Sequence, residues 1–203
     1  MNVRSPAQGR GEAARAAVPR AGSPPAAKAR RPRAGSGRDD VLLQGLPPVL
    51  GRDTAVLILG SFPGEASLAA GQYYAHPRNH FWPLVAASID VPLVELPYRA
   101  RLRELRARGI GLWDAIVACR RQGSLDGAIR TAVRGEISRA RRAAPGLALV
   151  CFNGKTAARA LPAWREAGYA TLVLPSSSPA YTLPFAAKLA AWRSVGEFLR
   201  RRA

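Results

Sequence analysis

From Val41 onward the chain alternates between short, almost continuous apolar runs and longer stretches with helical spacing, and this alternation sets the expected architecture. Four runs have strand length: Ala55 to Leu59, Gly109 to Trp113, Leu147 to Phe152 and Ala170 to Leu174, each ending at a turn or a polar cluster. Around them the spacing predicts helices over about Asn79 to Ser88, Tyr98 to Arg108, Leu125 to Arg142, Lys155 to Leu161 and Phe185 to Arg201. Strands that are apolar throughout are buried on both faces. The pattern therefore predicts a short parallel four-stranded sheet covered by helices on each side, a three-layer α/β/α sandwich. Right-handed crossovers in such a sheet put ligand sites at the carboxyl ends of the strands, so the chemistry is expected in the segments that directly follow them.

Residues 1 to 40 break the pattern. They are mostly Ala, Arg, Pro, Gly and Ser with almost no large apolar side chain, too little to offset the entropy of ordering, and a disordered basic tail is expected there. Pro24, Pro25 and Pro32 argue against an amphipathic targeting helix, which leaves a tethering arm as the better reading. Residues 41 to 203 then form one folded domain, and a chain of 203 residues has no room for a second of the same size.

A formal charge of +18 and a pI near 11.5 change the partner list more than the fold. The surface attracts polyanions over a Debye length or more, and nucleic acid heads the candidates. Almost all of the basic residues are Arg, a bias that a GC-rich genome also produces, so the charge supports a partner without specifying one. Cys119 and Cys151 lie in apolar contexts with no C-x-x-C spacing and no Cys/His cluster; free thiols, no metal and no cofactor are expected. No apolar run approaches the roughly 18 to 20 residues of a membrane span. A soluble, cytoplasmic monomer follows as the expectation.

After the first strand comes Gly60-Ser61-Phe62-Pro63-Gly64, a tight loop whose backbone N–H groups can approach a ligand, then Gln72-Tyr73-Tyr74-Ala75-His76-Pro77-Arg78-Asn79-His80-Phe81-Trp82. An aromatic pair followed by His, Arg and Asn suits a pocket where a flat base stacks and polar groups converge, while Asn79 equally fits the cap of the next helix. Asp114 ends the second strand, either as a reader of a base edge or as a surface carboxylate, and Arg120-Arg121-Gln122-Gly123-Ser124 follows as an Arg-rich turn. Asn153-Gly154-Lys155-Thr156 follows the third strand, as a phosphate-binding helix start or a plain turn. The fourth leads into Leu174-Pro175-Ser176-Ser177-Ser178-Pro179, a rigid loop suited to pressing into DNA with its hydroxyls on phosphates.

In this order and spacing, the segments from Val41 to the C-terminus resemble the uracil-DNA glycosylase superfamily. GSFPG is similar to the GINPG loop of the mismatch-specific enzymes, HPRNHFW to their HPANRFW, and LPSSSP to their PSSS or PSGLS loop. Ser61 is read as standing where those enzymes carry a water-activating Asn. With GLWD and FNGK, the set looks instead like the hypoxanthine-DNA glycosylase branch, in which the Asn of the HPRN-like segment takes over catalysis; here that residue is Asn79. Two cysteines cannot supply the four that the cluster-bearing branches use. None of Lys28, Lys155 and Lys188 lies in the first or last motif to act as a lyase nucleophile, although Lys155 adjoins the third.

The resemblance thus implies a monofunctional glycosylase that flips a deaminated base, hypoxanthine first, out of DNA. It implies that Asn79 holds the water with Ser61 assisting, and that Phe62 (through backbone N–H groups), Tyr74, Asp114 and Asn153 bind the base. Arg78, Ser176, Ser177 and Ser178 then meet the DNA backbone. The alternatives are a mismatch-specific uracil or thymine glycosylase and a non-catalytic module that binds lesions.

Overall fold

The computed structural model describes residues 41–202, and the expected tail over residues 1 to 40 lies outside them. In chain order the elements are β1 (Leu43–Gln44), β2 (Val56–Gly60), α1 (Glu65–Ala70), α2 (Phe81–Ile89), α3 (Tyr98–Ala107), β3 (Ile110–Asp114), β4 (Ile116–Arg120), β5 (Arg130–Arg134), α4 (Ile137–Ala143), β6 (Leu149–Asn153), α5 (Leu161–Glu166), β7 (Ala170–Leu174) and α6 (Phe185–Arg200). Strands β3-β2-β6-β7 make a parallel sheet in that order, the four-stranded sheet that the apolar runs predict.

Alternation along the strands builds the two outer layers. Val56 and Ile58 point to one face and pack with Phe81, Trp82, Leu84 and Val85 of α2, Leu105 of α3, and Trp192 and Val195 of α6. Leu57 and Leu59 point to the other, against Ala140 of α4 and Trp164 of α5, with Trp113, Val150 and Phe152 beside them. Fully burying such a side chain stabilises the fold by about 1.5–3 kcal/mol, so the two clusters dominate the favourable side of folding. Helices α2 and α6 pack closely because Gly196 has no side chain; a Cβ there would run into the carbonyl oxygen of Ser88.

Register brings the strand ends level. Gly60 pairs with Asp114, Leu59 with Phe152, and Asn153 with Leu174, so the loops after all four strands leave from one edge. The main departure from expectation is the predicted helix over Leu125 to Arg142. Only Ile137–Ala143 is α-helical there; Asp126–Ala128 is a 3-10 turn and Arg130–Arg134 is a strand. β5 pairs antiparallel with β4, which pairs with β1, giving a second, three-stranded sheet. Gly127 and Gly135 interrupt any helix, and Ile129, Thr131 and Val133 favour extended backbone. The ladder to β4, rather than burial, decides the outcome, because every residue of β5 is exposed.

Elsewhere the differences are in boundaries. α2 starts at Phe81 rather than Asn79, and the helix expected from Lys155 begins as a 3-10 turn over Ala157–Ala160 that runs into α5. Cys119 and Cys151 are both buried and free, and burial pushes the Cys151 thiol up to about 12, far from reactive. Among the described residues no helix is long and apolar enough to cross a membrane, and no group of three or more His, Cys, Asp or Glu is placed to hold a metal ion.

Candidate active site

The floor of the site is a meeting of polar tips that glycine permits. A Cβ on Gly60 would collide with Asp114 Oδ1 and lie 3.1 Å from the hydroxyl of Tyr74, so the absent side chain leaves room for both groups over the end of β2. Tyr74 reaches this position from a left-handed backbone (φ 55°), a conformation costing a residue other than glycine about 1 kcal/mol or more. Neighbouring contacts hold it there. The Tyr73 backbone N–H donates to the Tyr98 hydroxyl (3.0 Å), Ala75 N–H donates to Ser67 Oγ (3.1 Å), and the Tyr74 ring stacks on Phe81 with centroids 3.7 Å apart.

Asp114 is 4% exposed, and its Oδ2 has no hydrogen-bond partner. Burial, reinforced by the nearby Asp126 and opposed by Arg121, pushes its carboxyl up to about 8. The protonated form is therefore favoured near neutral pH, and in that form the group can donate as well as accept. The Tyr74 hydroxyl is also without a partner, and burial followed by the proximity of Asp114 raises it above the ordinary phenol value. Asn153 lies close enough to oppose that rise, yet makes no hydrogen bond of acceptable geometry to the phenol. Two adjacent buried groups without partners leave hydrogen-bonding capacity that a polar ligand or an ordered water can satisfy.

The loop after β2 is fixed from the hairpin side. Ala115 N–H donates to Gly60 O (2.9 Å) and Ile116 N–H to Ser61 O (3.0 Å), while Ser124 Oγ accepts from Glu65 N–H (3.0 Å). Arg121, 8% exposed, donates from Nη2 to Pro63 O (2.6 Å) and lays its guanidinium 4.9 Å from the centre of the Phe62 ring, leaving Nε and Nη1 unpaired. Ser61 Oγ donates to Asp126 Oδ1 at 2.7 Å. Beside them opens a cavity of about 400 Å³ whose lining includes Asp126, Arg130, Arg134, Thr156 and Arg159. Set on Gly60, Pro63 and Gly64, the GINPG loop puts its Asn opposite Phe62, so Ser61 stands one residue before the position expected for it. Phe62 is buried beneath Arg121, and its apolar ring has no group to hold a water.

Asn79 is part-buried just before α2. Its Oδ1 accepts from Phe81 N–H (3.0 Å) and its backbone N–H donates to His76 O (2.9 Å), while its side-chain NH₂ makes no hydrogen bond among the described residues. The N-cap of α2 is His80 rather than Asn79, and the Asn79 side chain combines an Asx turn onto Phe81 with a free donor. Arg78 is exposed, with its backbone N–H on His76 Nδ1 (3.2 Å).

On the far side of the sheet Asn153 and Ser177 grip each other. Asn153 Nδ2 donates to Ser177 Oγ and Asn153 Oδ1 accepts from Ser177 N–H, both at 2.8 Å. Ser177 is 1% exposed, and its carbonyl accepts from His80 N–H (3.0 Å), which ties the serine loop to the segment carrying Asn79. Ser176 Oγ accepts from Ser178 N–H and Ser178 Oγ from Ala180 N–H, each at 3.2 Å. Beneath the loop the buried Lys188 donates to Tyr181 O (2.7 Å), its charged form disfavoured by desolvation, and Trp192 Nε1 donates to Pro175 O (2.9 Å).

The fold thus gathers Ser61, Phe62, Tyr74 and Asp114 at the ends of β2 and β3. It gathers Asn153 and Ser176 to Ser178 at the ends of β6 and β7, with Asn79 joined to the second group through His80. Asp126, Arg121 and Lys188 are the polar residues of this region that reading the sequence missed. The first was hidden in the expected helix, the second in an Arg-rich turn, and the third among apolar residues of α6.

A family model described as "Uracil DNA glycosylase superfamily" matches residues 47–196. A protein of Methanosarcina barkeri named hypoxanthine DNA glycosylase is 40% identical over 149 residues, 73% of this chain and 94% of that protein. Its namesake in Methanosarcina acetivorans is 41% identical over 140 residues, 69% of this chain and 89% of its own. A solution NMR structure of an M. acetivorans protein, named as a candidate uracil DNA glycosylase, superposes with a TM-score of 0.73 at 38% identity. It covers 79% of this chain and 99% of its own. Sheet order, loop placement and these matches agree: the chain belongs to the uracil DNA glycosylase superfamily.

Proposed function

We propose that this protein is a monofunctional DNA glycosylase that excises hypoxanthine from DNA as the first step of base excision repair. The observation that carries this reading is the buried Asp114 with an unpartnered oxygen at the end of β3, beside the unpartnered hydroxyl of Tyr74, in a setting where burial raises the carboxyl toward its neutral form. A neutral carboxyl donates from one oxygen and accepts at the other, which complements the adjacent C=O and N–H of a 6-oxopurine. Uracil presents a similar edge. The preference for a purine is supported by the roughly 40% identical relatives and their name.

The target nucleotide leaves the stack at a cost of a few kcal/mol, lowest where the pair is already weak. Tyr74 provides the stacking ring, and the backbone N–H groups of Ser61 and Phe62 face the oxygen of the departing base. The bond from C1′ to the base breaks with its electron pair going to the base, leaving a sugar cation. Water held by the side-chain NH₂ of Asn79 adds its oxygen to C1′, and the proton it loses neutralises the departing base anion. Arg78, Ser176 and Ser178 face the DNA backbone, and Ser177 and Asn153 act as the clamp that shapes their loop. The enzyme works as a monomer in the cytosol without metal or cofactor, and residues 41 to 203 form its catalytic domain.

The test is single-turnover cleavage of matched oligonucleotides carrying hypoxanthine, uracil, or thymine opposite guanine, followed by alkali to break abasic sites. Release from the hypoxanthine strand is expected. Release from the pyrimidine strands alone replaces this reading with the mismatch-specific one, and binding without release from any strand replaces it with a lesion-binding module.

A further inference from the structure

The residue opposite the mismatch enzymes' Asn is Phe62, whose ring lies under Arg121 and cannot hold a water. The neighbouring polar group is Ser61, and a serine hydroxyl alone is an ambiguous partner, since it rotates between donating and accepting. Here it does not rotate freely. Ser61 Oγ donates to Asp126 Oδ1 at 2.7 Å, which commits the hydroxyl hydrogen to Asp126 and leaves the oxygen lone pairs for an incoming O–H.

Asp126 comes from the 3-10 turn between β4 and β5, on the small sheet that extends past the carboxyl ends of β2 and β3. We propose that Asp126 is a positioning residue for base excision, delivered by this hairpin, which fixes the Ser61 hydroxyl as the hydrogen-bond acceptor that orients the attacking water, while the proton that the water loses passes to the departing base anion. The proposal rests on the glycosylase reading above. It divides the handling of water between two sides of the site: Asn79 offers an N–H donor, and the Ser61–Asp126 pair offers an acceptor.

A tether between loop and hairpin is the competing explanation of the same hydrogen bond. The loop is already tethered there by Ala115 N–H to Gly60 O, Ile116 N–H to Ser61 O, and Arg121 to Pro63 O, so the side-chain pair is not needed to join the two segments. Asp126 also lines a cavity beside the loop, shared with Arg130, Arg134 and Arg159. Those guanidiniums keep a carboxylate compatible with an approaching phosphate backbone.

The experiment compares the full-length chain with Ser61→Ala, Asp126→Ala, Asp126→Asn and the Ser61→Ala/Asp126→Ala pair. Single-turnover rate on the hypoxanthine strand, affinity for an abasic-site strand, and urea stability are measured for each. Loss of the acceptor should slow the chemical step about tenfold or more in each alanine variant while affinity and stability stay within about twofold of wild type. The double variant should be no slower than the slower single, since both changes break one path. Asp126→Asn retains an acceptor for the Ser61 hydroxyl and should recover part of the rate.

Wild-type rates in both alanine variants overturn the proposal, as do losses that multiply in the double variant, a slowing that tracks weakened DNA binding, or an Asp126→Asn variant as slow as Asp126→Ala. A wild-type chain that releases no base overturns the glycosylase reading and this proposal together. A wild-type chain that cleaves with rates indifferent to Asp126 overturns this proposal alone.

Discussion

Replacing Asp114 by Asn separates what its proton does from what its shape does. The carboxyl is held at about 8 by burial and by Asp126, against an ordinary value of 3.8. With the group raised to about 8, most molecules carry the proton at pH 7 and few at pH 9. If the protonated form reads the base, the single-turnover rate of the wild type should fall roughly tenfold between those pH values. Asn keeps the size and a donor but does not titrate, so its rate should stay flat over the same range. Stability carries an independent signature. Between about pH 4 and pH 8 the native state keeps a proton that the unfolded chain has released, so rising pH favours unfolding in that window. The slope is about 1.4 kcal/mol per pH unit and levels off above pH 8. Urea melts at pH 5, 6, 7 and 9 should show wild type losing stability relative to Asp114→Asn across the window. A flat wild-type rate from pH 7 to 9, or an Asn variant with the same stability slope, refutes the neutral-acid reading.

Other perturbations probe separate parts of the site. Asn79→Ala should lower the single-turnover rate at least tenfold with DNA binding retained, and lose about 1 kcal/mol of stability from the missing contact to Phe81 N–H; an unchanged rate removes Asn79 from the chemistry. Gly60→Ala should abolish activity by driving Asp114 and Tyr74 off the floor, and a crystal structure showing both groups unmoved would contradict that cause. Asn153→Ala leaves the buried N–H and hydroxyl of Ser177 without partners, for a loss of about 1–3 kcal/mol in urea melts and faster hydrogen exchange in the serine loop. Deleting residues 1 to 38 removes many arginines and should flatten the salt dependence of non-specific DNA binding; an unchanged slope means the segment releases no counterions from DNA.

The sheet was legible because its strands are nearly continuous apolar runs; β2, β3 and β6 are buried along almost their whole length, while β7, at the edge, is only partly covered. The small sheet was not. Nothing in Leu125 to Arg134 buries a face: the strand over Arg130–Arg134 is exposed throughout, and the Arg and Ala around it carry as much helix propensity as Ile129, Thr131 and Val133 carry strand propensity. A strand stabilised by its ladder to a neighbour 10 to 20 residues away leaves no local periodicity to read, which is why a helix was expected across it.

That same blind spot hid Asp126. Motifs that sit on strand ends, such as Gly60, Asp114 and Asn153, could be placed from sequence because register alone brings strand ends together. Asp126 is 65 residues from Ser61 in the chain, and only the fold of the hairpin makes them neighbours. Ser177 shows the converse, a residue whose type and loop suggested a surface contact to phosphate, and whose side chain instead turns inward to Asn153. In a loop of three consecutive serines the sequence cannot distinguish the one that clamps from the two beside it. What decides is whether a partner with both a donor and an acceptor stands opposite, and Asn153, at the end of the neighbouring strand, is such a partner. The proposed chemistry therefore rests on two kinds of position: strand ends, where pattern suffices, and the hairpin and clamped loop, where long-range pairing must form before roles can be assigned to individual side chains.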